Sequence, residues 1–340
     1  MPPLRIIILS DGRPGHFNLS EGIAAAIERA SPATTIRYDV RRGRWSGSVL
    51  AAMTRARLPA REMLARVYGV DETAVPPGDI IVSAGAETLA ASIWLARARS
   101  VPNVHYGSLR LFAPHDFSLV LTSYQRHAGR PRHALSLKPS RFDPDGTPRP
   151  SPDLKQGRPR TIGLLIGGNA GGIRFSREDW DGLLAMIRRP PDGPPIRWLI
   201  SNSRRTPPEI GDELGLEAAR PQTQIAHYLD VRTAGPGTLA TLLAQCDAVM
   251  CTADSSSMIS ECVWSRRPTL ALAPAICRYT ADEAGYRAWL EQSRWCQSIA
   301  IAEATPAVIE QRLTAVQPLS GNPLDALAEL LRQRLPELGA

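Results

Sequence analysis

The first candidate for chemistry is the loop after the first apolar run of the sequence, Ser10–His16 (SDGRPGH). Its two glycines allow the backbone to turn tightly and to approach a ligand. His16 lies where the next helix is expected to begin, and a histidine there can act as a general base or donate to an anion. We therefore predict His16 and Asp11 as catalytic residues. The alternative is that both side chains merely cap and brace the turn.

A second loop is rich in glycine and also follows an apolar run, Ile166–Gly172 (IGGNAGG). Glycines free the backbone N–H groups to line an anion-binding concavity. Such loops are common as ordinary turns, but this one opens the second half of the chain as the His16 loop opens the first. The predicted phosphate ligands here are Gly167, Gly168, Asn169 and Gly171.

The third loop, Thr252–Glu261 (TADSSSMISE), joins an apolar run to a helical pattern. The N–H groups and hydroxyls at a helix amino terminus favour phosphate. The residues predicted to contribute are Asp254, Ser255, Ser256 and Ser257. Glu261, one turn further on, is predicted to accept hydrogen bonds from ribose hydroxyls. The alternative is ordinary capping by Asp254 or Ser255, with Glu261 in solvent.

A fourth loop, Ser201–Thr206 (SNSRRT), carries two arginines among small polar residues. A guanidinium can bind phosphate oxygens bidentately, so Arg204 and Arg205 are predicted to bind a diphosphate. The alternative is that they are ordinary surface arginines.

The elements that must position these loops are short apolar strands that alternate with helices. The predicted strands are Arg5–Ser10, Ile36–Val40, Asp79–Ser83, Asn103–Tyr106, Ser118–Thr122, Thr161–Ile166, Arg197–Ser201, Ala248–Cys251 and Thr269–Leu272. The predicted helices are Asn18–Arg29, Glu87–Arg99, Ser176–Arg188, Ser256–Trp264 and Pro323–Leu335. Continuous apolar strands in βαβ order are typical of parallel sheets covered on both faces.

The segment Pro139–Arg160 interrupts this alternation with six prolines and is predicted as a linker. The fold class is therefore α/β, with two Rossmann-like parallel-sheet domains facing a cleft. The expected domains are residues 1–145 and 158–320, with a helix at 321–340 packing back on the first. Ligands of such sheets favour the carboxyl ends of the strands.

The composition limits the classes of ligand and partner that we expect for this protein. The net charge of +7 favours anionic ligands, whereas 6% aromatic residues and the lack of a stacking motif argue against nucleic acid. The five cysteines form no CxxC pair and no zinc spacing, which predicts reduced thiols, no metal and a cytoplasmic protein. The run Arg41–Arg61 holds six arginines and no acid. It is either a peripheral contact with an anionic membrane or a solvated surface.

Taken together, four stretches resemble the mitochondrial-fission "elongated mitochondria" family, also called DUF1022. They are DGRPGHFNLSEG (Asp11–Gly22), IGGNAGG, SNSRRT and TADSSSMISE. The family in turn is similar to GT-B glycosyltransferases such as the peptidoglycan N-acetylglucosaminyltransferase. By that resemblance His16 matches a proposed base, and Ser260 with Glu261 matches a Ser-x-Glu helix start that holds the nucleotide ribose. The loops Ser83–Thr88 and Gly107–Arg110 depart from related sequences, which leaves the acceptor open.

The resemblance implies a glycosyltransferase that moves a sugar from a nucleotide-sugar to an unknown acceptor. A UDP-sugar is the candidate donor, and a lipid-linked molecule is the candidate acceptor. The nucleotide-sugar is then a substrate and no cofactor is expected. The alternative is a non-catalytic, membrane-associated adaptor that retains a GT-B-like fold, since fold does not fix function.

Overall fold

A computed structural model of the protein describes residues 2–146, 160–189, 196–234 and 238–336. The chain divides into two units. One comprises the chain up to Arg141 together with the part from Pro323 onward, and the other runs from Phe142 to Asn322. Most of the predicted linker, residues 147–159, lies outside the described residues.

In the first unit, six described strands form one parallel sheet in the order β2-β1-β3-β4-β5-β6. The strands are β1 (Leu4–Ser10), β2 (Ala33–Asp39), β3 (Ile80–Ala84), β4 (Asn103–Tyr106), β5 (Leu119–Thr122) and β6 (His133–Leu135). The helices are α1 (Pro14–Ala30), α2 (Gly47–Arg55), α3 (Ala60–Tyr68), α4 (Leu89–Arg99), α5 (Gln125–Ala128) and α13 (Pro323–Arg334).

Burial explains why the central strands are continuously apolar. Ile6, Ile7 and Ile8 are fully buried, which requires helices on both faces of the sheet. Trp94 of α4 is buried in the core on the same face of the sheet as Ile7. Helix α13 packs on α1, where Arg29 Nε donates to Asp325 Oδ1 at 2.7 Å.

In the second unit, six described strands form a parallel sheet in the order β10-β9-β7-β11-β12-β14, and β13 pairs with β8 in a small antiparallel ribbon. The strands are β7 (Arg160–Leu165), β8 (Ile173–Arg174), β9 (Ile196–Ser201), β10 (Ile225–Leu229), β11 (Ala248–Thr252), β12 (Thr269–Ala273), β13 (Ile276–Cys277) and β14 (Gln297–Ala300). The helices are α6 (Arg177–Arg188), α7 (Pro208–Ala218), α8 (Val231–Ala234), α9 (Thr238–Gln245), α10 (Ser256–Trp264), α11 (Ala281–Gln292) and α12 (Pro306–Ala315).

The core of this unit lies between the sheet and its helices and includes Leu164, Trp198 and Met250. Helix α6 begins where a capping box forms, because Ser176 Oγ accepts from the Asp179 N–H and Asp179 in turn accepts from the Ser176 N–H.

The predicted α/β fold class with two parallel sheets is confirmed. The sequence analysis did not assign helices α2, α3, α5, α7, α8, α9, α11 and α12, or strands β6, β8, β10, β13 and β14. Helices α2 and α3 lie in and beside the arginine-rich run, where charge obscures the apolar spacing of Leu50, Leu64 and Val67. Helix α1 also begins earlier than predicted, because Pro14 occupies its first turn.

Each sheet has a point where the strand order reverses. In the first unit it lies between β1 and β3, and in the second between β7 and β11. Loops that leave neighbouring strands in opposite directions open a crevice at the carboxyl ends of those strands, and ligands of such sheets bind there. Three of the four loops predicted to carry chemistry leave β1, β7 and β11, and therefore lie at these two reversal points. The fourth, with Arg204 and Arg205, leaves β9, which lies next to β7.

No helix within the described ranges is long and apolar enough to cross a membrane. All five cysteines are free thiols, and Cys277 is half-buried while the others are buried.

Candidate functional site

The reversal point of the second sheet brings the glycine loop after β7 against the loop after β11. The carboxyl group of Asp254 occupies the place where a side chain on Gly167 would begin. Thr252 joins the two loops, because its hydroxyl accepts from the Gly167 N–H and donates to Asp254 Oδ1, both at 2.6 Å. The glycine at position 167 is thus required by close approach of the neighbouring loop.

Asp254 is also the partner of Arg205 from the loop after β9. Arg205 donates from Nη2 at 2.6 Å and from Nε at 3.0 Å to Asp254 Oδ2. The Asp254 side chain is fully buried, whereas that of Arg205 is 43% exposed. A buried carboxylate with two such partners holds three loops together, and its charge has the wrong sign for contact with a phosphate. Asp254 was predicted as a phosphate ligand, and the structure places it instead where it positions the loops.

Two further side chains fix the loop after β9. The Thr206 hydroxyl donates to the carbonyl oxygens of Ile166 and Gly167, at 3.0 and 2.8 Å. Asn202 is buried and donates from Nδ2 to Tyr228 Oη and to Asp230 Oδ1. The loop that carries Arg204 and Arg205 is therefore tied both to the glycine loop and to the end of β10.

The amino terminus of α10 has the geometry of an anion site. Ser255 is its N-cap and accepts from the Met258 N–H at 3.3 Å. The first turn contains no acidic residue of its own. The backbone N–H of Ser257 has no acceptor among the described residues, so it contributes to the partial positive charge of the helix end.

The glycine loop and nearby arginines add to this positive potential. In the described part of the chain the N–H groups of Gly168 and Asn169 have no acceptor, while the Asn169 side chain accepts from the Phe175 N–H and closes the loop. Arg204 and Arg278 are exposed, and neither has an ion pair within the described ranges. Gly171 forms the left-handed turn of the loop, with a φ of 55°.

Glu261 lies on α10 one turn beyond the serines, and no donor among the described residues reaches its carboxyl group. Desolvation by the surrounding protein raises the pKa of Glu261 to about 7. A half-buried carboxyl without a partner can accept hydrogen bonds from a ligand that brings hydroxyl groups. Ser260, which was also predicted to contact the nucleotide, is fully buried on the same helix.

In the first unit, the reversal point carries the predicted catalytic pair. His16 Nδ1–H donates to Asp11 Oδ2 at 2.8 Å, which leaves Nε2 as an acceptor. The Asp11 side chain is 3% exposed and that of His16 is 31% exposed, so a buried carboxylate orients an accessible imidazole. Gly85, after β3, has a φ of 88°, and a side chain there would overlap the His16 ring.

Sequence reasoning missed several residues that shape these sites. Thr252, Thr206 and Asn202 fix the second-unit loops, and each was within or beside a loop already singled out. The sequence also held a signal for Gly85, since it is a glycine directly after the apolar run that forms β3. Arg287 of α11, whose Nη2 donates to the Ala253 carbonyl oxygen at 2.6 Å, had no such signal, because no loop motif marks its position in the sequence.

Comparison with known proteins identifies a matching family and a shared fold. The family model described as mitochondrial fission ELM1 matches residues 14–318. Comparison with curated protein sequences gave no match.

Among solved structures, a Listeria monocytogenes protein assigned as a UDP-N-acetylglucosamine 2-epimerase aligns with a TM-score of 0.59 at 11% identity, over 99% of this chain and 98% of that one. MurG of Acinetobacter baumannii aligns with a TM-score of 0.52 at 13% identity, over 97% of this chain and all of the other (100%). These likenesses show that the fold is that of GT-B glycosyltransferases.

Proposed function

We propose, from the premise that this chain belongs to the mitochondrial fission ELM1 family and has the GT-B glycosyltransferase fold, that it transfers a sugar from a nucleotide-sugar to an acceptor. The main observation behind the proposal is the environment of the Glu261 carboxyl group. This desolvated carboxyl group has no hydrogen-bond partner among the described residues and lies one turn beyond an anion-attracting helix terminus. A nucleoside diphosphate offers the matching chemistry, with an anion next to a sugar that bears hydroxyl groups.

In this proposal the diphosphate lies against the first turn of α10 and the glycine loop. The N–H groups of Ser257, Gly168 and Asn169 donate to it, and Arg204 adds a full positive charge. The ribose hydroxyls donate to Glu261. These donors are fixed before the ligand arrives, so they can stabilise the diphosphate as a leaving group and the scheme needs no metal. UDP-N-acetylglucosamine is the first donor to test, since one structural neighbour is assigned as a UDP-N-acetylglucosamine 2-epimerase.

His16 is proposed as the base that takes a proton from the acceptor hydroxyl. Asp11 holds the Nδ1–H, so Nε2 faces away with its lone pair. Replacing His16 with Ala should leave binding of the nucleotide unchanged and lower turnover ~10²–10⁴-fold.

We also propose that the protein is cytoplasmic and contacts an anionic membrane peripherally through the segment Arg41–Arg61. The exposed arginines of this segment that have no ion pair in the described part of the chain are Arg41, Arg44, Arg55 and Arg57. Val49 and Leu58 are exposed among them, at 41% and 38%. Exposed cations interleaved with apolar side chains suit an anionic lipid surface. Co-sedimentation with phosphatidylglycerol vesicles should exceed that with phosphatidylcholine, and Arg55→Glu with Arg57→Glu should abolish the difference.

Calorimetric titration with UDP, UDP-N-acetylglucosamine and inorganic phosphate tests the nucleotide site. Glu261→Gln should weaken UDP and spare phosphate, because it removes the acceptor for ribose and not the anion site. Ser257→Asp should weaken both ligands, because it places a negative charge at the helix terminus. The matched control is Glu303→Gln, which removes one exposed charge from the same unit.

A wild-type protein that binds none of the three ligands would overturn the proposal and favour the non-catalytic adaptor. Equal weakening of UDP and phosphate by Glu261→Gln would show that the carboxyl group maintains the fold rather than recognises ribose. Thermal shift offers a first screen, since a ligand at 100 times its Kd adds about 2.7 kcal/mol to the free energy of unfolding.

A further inference from the structure

Helix α11 contacts the amino-terminal turn of α10 through two charged side chains. Ser256 Oγ donates to Glu283 Oε1 at 3.1 Å. Arg287 Nη2 donates to the carbonyl oxygen of Ala253, the residue before Asp254, at 2.6 Å. Side chains four residues apart lie on one face of a helix. One face of α11 therefore presents a negative and a positive charge to the same turn.

Arg287 is a buried cation that forms no ion pair with any acidic residue in the described part of the chain. The residue is 8% exposed, and its guanidinium carbon lies 4.3 Å from the centre of the Tyr279 ring. Its Nε and Nη1 groups are buried and have no acceptor among the described residues. An arginine remains charged in proteins, and a buried charge without a partner is costly. An anion bound at the adjacent turn would compensate this charge.

The negative charge of Glu283 opposes the binding of an anion at the same turn. Helix α10 supplies no acidic residue to its own first turn, and the carboxylate that contacts its first residue comes from α11. A carboxylate is stabilised at a helix amino terminus for the same reason that phosphate is. An incoming phosphate must share Ser256 with Glu283 or displace it, and the two negative charges repel each other.

We propose that this face of α11 sets the anion affinity of the α10 turn, with Arg287 raising it and Glu283 lowering it. The proposal rests on the proposed function, in which the anion is the diphosphate of a nucleotide. Arg287 is a positioning residue, because it holds the Ala253 carbonyl and acts on the ligand through its charge. Glu283 is an internal competitor for the hydroxyl of Ser256.

The test is calorimetric titration of wild type, Glu283→Gln, Arg287→Met and Arg287→Lys with UDP and with uridine. Glu283→Gln should bind UDP about two- to five-fold more tightly, since a charge at a helix terminus has an effect of that size. Arg287→Met should bind UDP about tenfold more weakly, and Arg287→Lys should retain most of the affinity. Uridine, which carries no phosphate, should bind all four proteins alike. Glu303→Gln is the matched control for removal of one charge.

Weaker UDP binding by Glu283→Gln would show that Glu283 contacts the ligand, and would overturn the proposal. Equal loss of UDP and uridine on Arg287→Met would show that Arg287 merely packs the turn, and would overturn it too. If Arg287→Met fails to fold, Glu283→Gln decides, since unchanged UDP affinity contradicts the competition. A wild type that binds no UDP would instead defeat the proposed function. The same variants would then be titrated with pyrophosphate, where the absence of opposite effects refutes the role of α11.

Discussion

At the reversal point of the second sheet, the buried carboxyl group of Asp254 occupies the position that a side chain on Gly167 would take. Because Thr252 and Arg205 hold that carboxyl group from two other directions, it cannot move aside without breaking hydrogen bonds. The close approach explains why a glycine stands at the end of β7, and it makes the loop sensitive to the smallest substitution.

Gly167→Ala should therefore lower the free energy of unfolding by about 1–3 kcal/mol, the usual cost of overpacking a buried site. The matched control is Gly285→Ala in α11, where an added methyl group meets no atom of the described residues within 4 Å. That substitution should raise the stability by about 0.5–1 kcal/mol, because alanine favours the helix. Urea denaturation followed by tryptophan fluorescence measures both. A Gly167→Ala protein as stable as wild type would show that Asp254 has room to move.

Much of the fold could be predicted from the sequence, because the signals are local. The predicted helix Ser256–Trp264 and strand Asn103–Tyr106 have the same bounds in the structure. The outer strand β10 was missed because two of its five residues are exposed, so the apolar run is interrupted.

For the candidate site as well, features that are local in the sequence could be predicted, whereas contacts between distant segments could not. Loops that follow apolar strands could be recognised, and with them the serines of α10, Glu261 and the His16–Asp11 pair. The contacts between loops could not, because they depend on β7 lying beside β11, which are more than 80 residues apart in the chain. Arg287 reaches the turn of α10 from 34 residues further along the sequence. No pattern among neighbouring residues in the sequence predicts such a contact.

Gly85 makes room for His16, and substitution there should move the imidazole away from Asp11. A methyl group on Gly85 would overlap the ring, so Gly85→Ala should lower sugar-transfer turnover by about the same ~10²–10⁴-fold as His16→Ala, while UDP affinity stays unchanged. Turnover and the NMR signals of the His16 ring provide the two measurements.

Gly69→Ala is the matched control for Gly85→Ala. Gly69 also has a positive φ, of 64°, but within the described ranges an added methyl group there meets no atom closer than 4 Å. It should reproduce the backbone strain, about 1 kcal/mol, without a change in turnover. Equal effects of both substitutions on turnover would mean that strain, rather than displacement of His16, is responsible.

Glu261 gives the protein a dependence of stability on pH with a defined sign. Its pKa is about 7 in the folded chain against an ordinary value of 4.5. Between these values the unfolded chain releases the proton and the folded chain keeps it, so stability falls as pH rises from 4.5 to about 7 and does not recover above it. Glu261→Gln removes this loss. At pH 8 the variant should be about 2–3 kcal/mol more stable than wild type, and at pH 4.5 nearly equal to it.

The same ionisation should govern ligand binding in the opposite direction. Ribose hydroxyls donate best to the ionised carboxylate, so the affinity of wild type for UDP should increase as the pH rises from about 6 to about 8, through the folded-state pKa of about 7. The diphosphate itself also titrates near ~6, and Glu261→Gln isolates that contribution, because its UDP affinity follows the phosphate alone. Urea denaturation and calorimetry at a series of pH values measure the two effects. Parallel pH profiles for wild type and Glu261→Gln in both measurements would show that Glu261 is already ionised at pH 6 and that burial does not hold its proton.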